Sequence, residues 1–137
     1  MRNALAIFLT LAATACAEGP PSKAALKQQA TEARRLDEAL AGLVPGKPVS
    51  CIESRLANGP ESYGETTLLF RMGSKLIYRT ETRGTCRDVG NGRALVTRTF
   101  GSRLCRGDIA SVADLTAGFS TDTCVMGDFV PYRKAKS

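Results

Sequence analysis

The sequence predicts a mainly β domain, a small antiparallel sheet or barrel of about six strands, preceded by an amphipathic helix and stapled by two disulfides. Three observations lead there. Helix-forming residues fill positions 23–43 and then give way, at Pro45-Gly46-Lys47-Pro48, to β-branched residues, Gly and Arg. From there to Tyr132, short apolar runs are divided by glycine-bearing turns. Four cysteines follow the N-terminal segment, an even set of the kind that small exported domains oxidise.

Residues 1–15 read as a signal peptide. Arg2 supplies the positive end, and Ala4 opens an apolar run to Ala15. The run is too short for a membrane-spanning helix, which needs about 20 apolar residues. It closes on Ala13-Thr14-Ala15-Cys16, which resembles the lipobox of bacterial lipoproteins, with Ala13 where Leu is usual. The resemblance implies that Cys16 is lipidated and becomes the mature N-terminus. Two or more acyl chains then hold the protein to a membrane, whereas one holds it only marginally. Ala17 follows the cysteine, and without an inner-membrane Asp there the expected residence is the outer membrane, facing the periplasm. The rival is an ordinary cut after Ala15-Cys16-Ala17, which makes Glu18 the first residue of a soluble periplasmic or secreted chain.

Residues 16–47 then form linker and spacer. Glu18-Gly19-Pro20-Pro21 is stiff and non-helical, and Ser22 is placed to cap a helix. The helix is expected over 23–43, with Gly42 and Pro45 as stop signals. Leu26, Ala30, Ala33, Leu36, Leu40 and Leu43 recur at intervals of three or four and make one apolar stripe. The stripe fits a helix resting on its own domain. It lacks the Phe or Trp of a membrane-surface helix and spans barely three heptads of a coiled coil.

Residues 48–132 are the β domain and 133–137 a frayed basic tail. Strands are expected over 49–56, over 66–71 and 75–80 about a Met72-Gly73-Ser74 turn, over 94–100, and over 108–115 and 119–125 about Thr116-Ala117-Gly118. Apolar alternation is unclean around Leu69, Arg71, Leu76 and Tyr78, so the buried face of that hairpin stays open. The aromatics Tyr63, Phe70, Tyr78, Phe100, Phe119, Phe129 and Tyr132 are assigned to core packing.

Cys51, Cys86, Cys105 and Cys124 lie 35, 19 and 19 residues apart, without the close pairs of a zinc site or a redox motif. A domain of this size buries a modest core, and cross-links are the physical remedy. The strand layout favours Cys51 with Cys124 and Cys86 with Cys105. Loop-closure entropy of ~4.4 and ~3.3 kcal/mol barely separates this from Cys51–Cys86 with Cys105–Cys124, at ~3.8 and ~3.3 kcal/mol.

Four stretches carry a further resemblance: Gly46-Lys47-Pro48-Val49-Ser50-Cys51-Ile52, Leu68-Leu69-Phe70-Arg71, Leu104-Cys105-Arg106-Gly107-Asp108, and Cys124-Val125-Met126-Gly127-Asp128-Phe129-Val130-Pro131. They resemble an uncharacterised family of small exported proteobacterial proteins, a domain of unknown function often bearing a lipoprotein signal. This chain has Cys86-Arg87 where the family usually has Cys-Pro. The resemblance implies an exported domain and no particular activity.

Composition narrows the chemistry. The chain has no histidine and no tryptophan. That excludes a Ser-His-Asp triad, a Cys-His dyad and histidine-ligated zinc. Glu53, Asp108, Asp114 and Asp128 lie beside expected strand ends, where a carboxylate pair would serve a hydrolase, but thirteen acidic residues make chance pairs inevitable. Arg106-Gly107-Asp108 spells an integrin tripeptide and reads more simply as a turn. The net charge is +6, with 13 Arg against 6 Lys. Arginine suits phosphate and carboxylate groups, and Arg55, Arg71, Arg79 and Arg98 are the candidate anion-binding residues. Nucleic acid is not an expected partner outside the cytoplasm, and no cofactor or metal is called for. The expected function is a non-catalytic, lipid-anchored envelope module that binds an anionic envelope component or a protein partner. The alternatives are an inhibitor of an envelope-degrading enzyme and, last, a carboxylate hydrolase.

Overall fold

A computed structural model describes residues 19–136. The leader expected over 1–15 and the lipidation expected at Cys16 lie outside the described residues. Helix α1 spans Lys23–Ala39. Ser22 caps it as the sequence predicts, its Oγ accepting the Ala25 N–H at 3.2 Å. The helix stops at Ala39, short of the expected Leu43. Gly42, at φ 72°, turns the chain, and Leu43 opens strand β1 (Leu43–Pro45) instead. In β1 it joins Leu36, Ala39 and Leu40 on the apolar cluster of Tyr63, Leu69 and Ile77.

Eleven strands are present among the described residues, where about six were expected. After β1 come β2 (Cys51–Glu53), β3 (Asn58–Tyr63), β4 (Thr67–Met72), β5 (Leu76–Glu81), β6 (Arg83–Gly84), β7 (Arg93–Thr97), β8 (Arg103–Cys105), β9 (Ile109–Asp114), β10 (Phe119–Val125) and β11 (Phe129–Lys134). They form three open antiparallel sheets, ordered β1-β11-β5-β4-β3, β6-β10-β9-β7 and β2-β8. The barrel alternative is therefore corrected: among the described residues no sheet closes on itself. The strands that the sequence hid are short, polar or proline-bearing, and their pairing partners are remote. The expected 133–137 tail is likewise part strand, since Arg133 and Lys134 pair with Val44 and Leu43.

The main core lies where the sheets meet. Leu68, Phe70 and Phe129 come from the five-stranded sheet, Ala110, Val112 and Cys124 from the four-stranded one, and Ile52 and Leu104 from the third. Phe70 and Phe129 meet edge to face at 5.8 Å. Strand β4 is buried on both sides, which explains its unclean alternation. Leu68 and Phe70 face the other sheets, while Leu69 faces α1. Leu36, Ala39 and Leu40 rest on that outer cluster, but the N-terminal half of the stripe does not. Leu26, Ala30 and Ala33 are exposed. Phe100 and Phe119, expected in the core, are also exposed, Phe100 completely.

The disulfides join Cys51 to Cys105 and Cys86 to Cys124. All four cysteines are paired as expected, but both expected connectivities, Cys51–Cys124 with Cys86–Cys105 and Cys51–Cys86 with Cys105–Cys124, are corrected: the third possible pairing is present. The reason is β8, a strand concealed in a charged, glycine-flanked stretch. Its Cys105 lies directly opposite Cys51 in the β2–β8 ladder, which leaves Cys86 for Cys124. The second bridge is fully buried.

Candidate functional site

Three segments enclose a cleft of about 570 Å³. Its floor is the 85–92 loop between β6 and β7. This loop is stitched to the β3–β4 hairpin by Cys86 N–H to Glu65 C=O at 2.8 Å and Ser62 N–H to Val89 C=O at 3.0 Å. Cys86 and Val89 point into the core, so the intervening Arg87 and Asp88 turn outward. Asp88 takes φ 61°, the left-handed conformation that Asp tolerates better than most residues. The hairpin supplies a second wall with Ser62, Glu65 and Thr66, and α1 overhangs with Gln28, Gln29 and Glu32.

The charges in this cleft hold one another. Arg93 pairs with Asp88 at 3.1 Å. Arg87 reaches Glu65 at 3.8 Å and, from beneath, the largely buried Asp122 at 3.5 Å. Asp122 comes from the irregular step between Ser120 and Asp122 in the β9–β10 ladder. Its Oδ2 accepts no hydrogen bond. On the helix, Glu32 accepts from Arg35 at 2.8 Å and from the Gly64 N–H at 3.3 Å, which clasps α1 to the hairpin. The Arg35 guanidinium sits 5.1 Å above the Tyr63 ring. Burial, and then the hydrogen bond to Glu61, hold the Tyr63 hydroxyl above the ordinary tyrosine pKa.

The four arginines singled out in the sequence are not gathered into one face. Arg71 and Arg79 share the α1 side of the five-stranded sheet, where Glu61 and Glu81 neutralise them at 3.7 and 2.8 Å. Arg55 projects from a 3-10 turn at Ser54–Leu56. Arg98 borders a separate hollow on the outer face of the four-stranded sheet. The cleft uses Arg35, Arg87 and Arg93 instead. No spacing signal marks them, because they come from a helix, a loop and a strand that meet only in the fold.

The candidate carboxylates also have structural partners. Glu53 accepts from Ser102 and pairs with Arg103, and Asp128 pairs with Arg106. Asp108 accepts the Cys105 N–H at 2.7 Å, so the Arg106-Gly107-Asp108 tripeptide is the turn into β9. Asp114 accepts the Thr116 and Ala117 N–H groups in the β9–β10 turn. Those two bonds hold its carboxyl below the usual carboxylate pKa. Among the described residues, no group of three His, Cys, Asp or Glu side chains is placed to hold a metal ion, and no helix is long and apolar enough to cross a membrane.

The chain matches no protein-family profile, no curated protein and no solved structure. Fold and site together describe a disulfide-stapled, mainly β domain whose N-terminal helix roofs a polar cleft.

Proposed function

We propose that this protein is a non-catalytic binding module of the bacterial cell envelope, anchored through lipid on Cys16, with the cleft under α1 as its ligand site. The cleft is the observation that carries the reading. Its volume falls within the range of small-ligand sites, about 300–1,000 Å³. Its guanidinium and carboxylate groups are held in ion pairs by their neighbours, an arrangement suited to recognition rather than proton transfer. The anchor rests on the Ala13-Thr14-Ala15-Cys16 pattern and on the resemblance to exported proteobacterial proteins. In the sequence six residues separate Cys16 from Lys23, so an anchored chain holds the start of α1 within about 25 Å of the bilayer. The cleft, which Ala25, Gln28 and Gln29 of that helix help to line, is then held near the membrane.

The test is expression with the native leader in a Gram-negative host, followed by fractionation and mass spectrometry of the N-terminal peptide. The expected result is a membrane-bound, detergent-extractable chain whose first residue is an acylated Cys16, and a Cys16→Ser variant without that modification. A soluble wild-type chain beginning at Glu18 overturns the anchor.

A further inference from the structure

We infer that the cleft takes a short peptide carrying both a free ammonium and a free carboxylate, lying between α1 and the 85–92 loop. This deepens the binding-module reading and rests on it. Charge balance comes first. Arg35, Arg87 and Arg93 face Glu32, Glu65 and Asp88, three guanidinium groups against three carboxylates. A simple polyanion entering this space meets as many repelling groups as attracting ones, and so does a polycation. A zwitterion finds a partner for each end.

The neutral groups narrow the class. Gln28 and Gln29 on the overhanging helix and Asn91 on the floor bring three carboxamides to the cleft. Each offers a donor and an acceptor, the complement of a peptide unit, which also carries one of each. A zwitterionic lipid headgroup presents no amide for them to bind. No aromatic side chain lines the cleft among the described residues. The face of Tyr63 is already covered by Arg35, which leaves no stacking platform for a sugar ring.

Two further features mark the charged floor. Arg87 pairs at 3.5 Å with a largely buried Asp122 oxygen that accepts no hydrogen bond, while the Arg87 side chain itself stays about half exposed to an incoming ligand. Asp88 is the sole non-glycine residue at positive φ among the described residues, and it sits on the same floor. The geometry gives Arg87 and Arg93 to the peptide carboxylate. Glu65, the most exposed of the three carboxylates, takes the ammonium.

The experiment is an NMR and calorimetric titration of the full chain in detergent micelles. The probes are tetra-alanine with free termini, its N-acetylated form and its C-amidated form, with phosphoethanolamine, inorganic phosphate and an N-acetylglucosamine tetramer in parallel. The expected result is saturable shifts of the Gln28, Gln29 and Asn91 side-chain amides with free tetra-alanine. Capping either end weakens binding about tenfold, because each cap removes a charge-assisted contact. Arg87→Ala reduces the carboxylate dependence, with Arg93 left as the second partner. Where that variant does not fold, the Gln28→Ala/Gln29→Ala double variant, on the exposed helix surface, reads the same walls and weakens binding with the fold intact. Equal binding of capped and free peptides overturns the proposal, as does preference for phosphoethanolamine, phosphate or the sugar, or no shift with any peptide. A chain that is membrane-anchored yet ignores peptides loses only this ligand class. One that binds peptides but proves soluble loses only the anchor.

Discussion

Arg87 lies across the buried side of Asp122, its Nε 3.5 Å from an Oδ2 that accepts no hydrogen bond. The pair joins the cleft floor to the four-stranded sheet. Arg87 is about half exposed, so solvent screens the attraction, but the acid beneath it depends on that cation. Arg87→Ala is expected to destabilise the fold by about 1–3 kcal/mol, the penalty for a charged acceptor left without a partner. Asp122→Asn in the same chain should recover most of it. Urea unfolding of the two single variants and the double variant measures the coupling; additive effects would show that the pair does not interact.

The two disulfides should open in order. Cys86 and Cys124 are fully buried, whereas Cys51 and Cys105 are partly exposed. Graded reduction with alkylation and mass spectrometry is expected to label Cys51 and Cys105 first. Chain entropy alone values the bridges similarly, ~4.2 kcal/mol for the Cys51–Cys105 loop and ~3.9 kcal/mol for Cys86–Cys124. Removing Cys86–Cys124 also vacates core volume, so its double Ala variant should be the less stable. Early labelling of Cys86 or Cys124 counts against this order.

Gly127 touches the backbone of β5 so closely that an added Cβ would overlap the Glu81 carbonyl. Gly127→Ala must therefore displace β5 or the segment leading into β11. A loss of about 2–3 kcal/mol is expected in thermal or urea unfolding. Gly118→Ala, with open space around its Cβ but φ 75°, should lose only about 1 kcal/mol. Equal losses would mean that the close approach to Glu81 is not limiting.

Asp114 gives a pH signature. Its folded pKa lies below the ordinary carboxylate value because the Ala117 and Thr116 amides donate to it. A depressed folded pKa contributes stability above the unfolded value, and that contribution is lost as pH falls through the folded one. Asp114→Asn should therefore be less stable than wild type at neutral pH, with the difference shrinking below pH about 4. Melting curves across pH 2–7 check this. A difference that is constant with pH would remove the charged carboxylate from the explanation.

Helix α1 should respond unevenly to substitution along its stripe. Leu36 and Leu40 rest on Tyr63, Leu69 and Ile77, so Leu36→Ala is expected to lose about 1–2 kcal/mol, less than a fully buried leucine. Leu26→Ser, at an exposed position, should change stability by less than about 0.5 kcal/mol. Hydrogen exchange of the helix amides would report both. A large effect at Leu26 would place the N-terminal half against the domain.

The local features can be read from the amino-acid order. The Ser22 cap, the helix, the β class that follows Pro45, the β4–β5 and β9–β10 hairpins and the oxidation of all four cysteines are legible because each depends on residues near one another in the chain. The rest emerges only when distant segments pack together. Strand β8 exists because β2 pairs with it, β11 because β5 and β1 flank it, and the disulfide connectivity follows from the β2–β8 register. The cleft belongs to the same kind. Gln28 on α1, Arg87 on a loop and Arg93 on β7 share no spacing in the sequence, and Asp122 on β10 reaches Arg87 only after β10 has paired with β6 and β9 in the four-stranded sheet. Periodicity and capping act over a few residues, so they print themselves on the sequence. Non-local pairing is settled by which surfaces exclude water together, and no single segment carries that information.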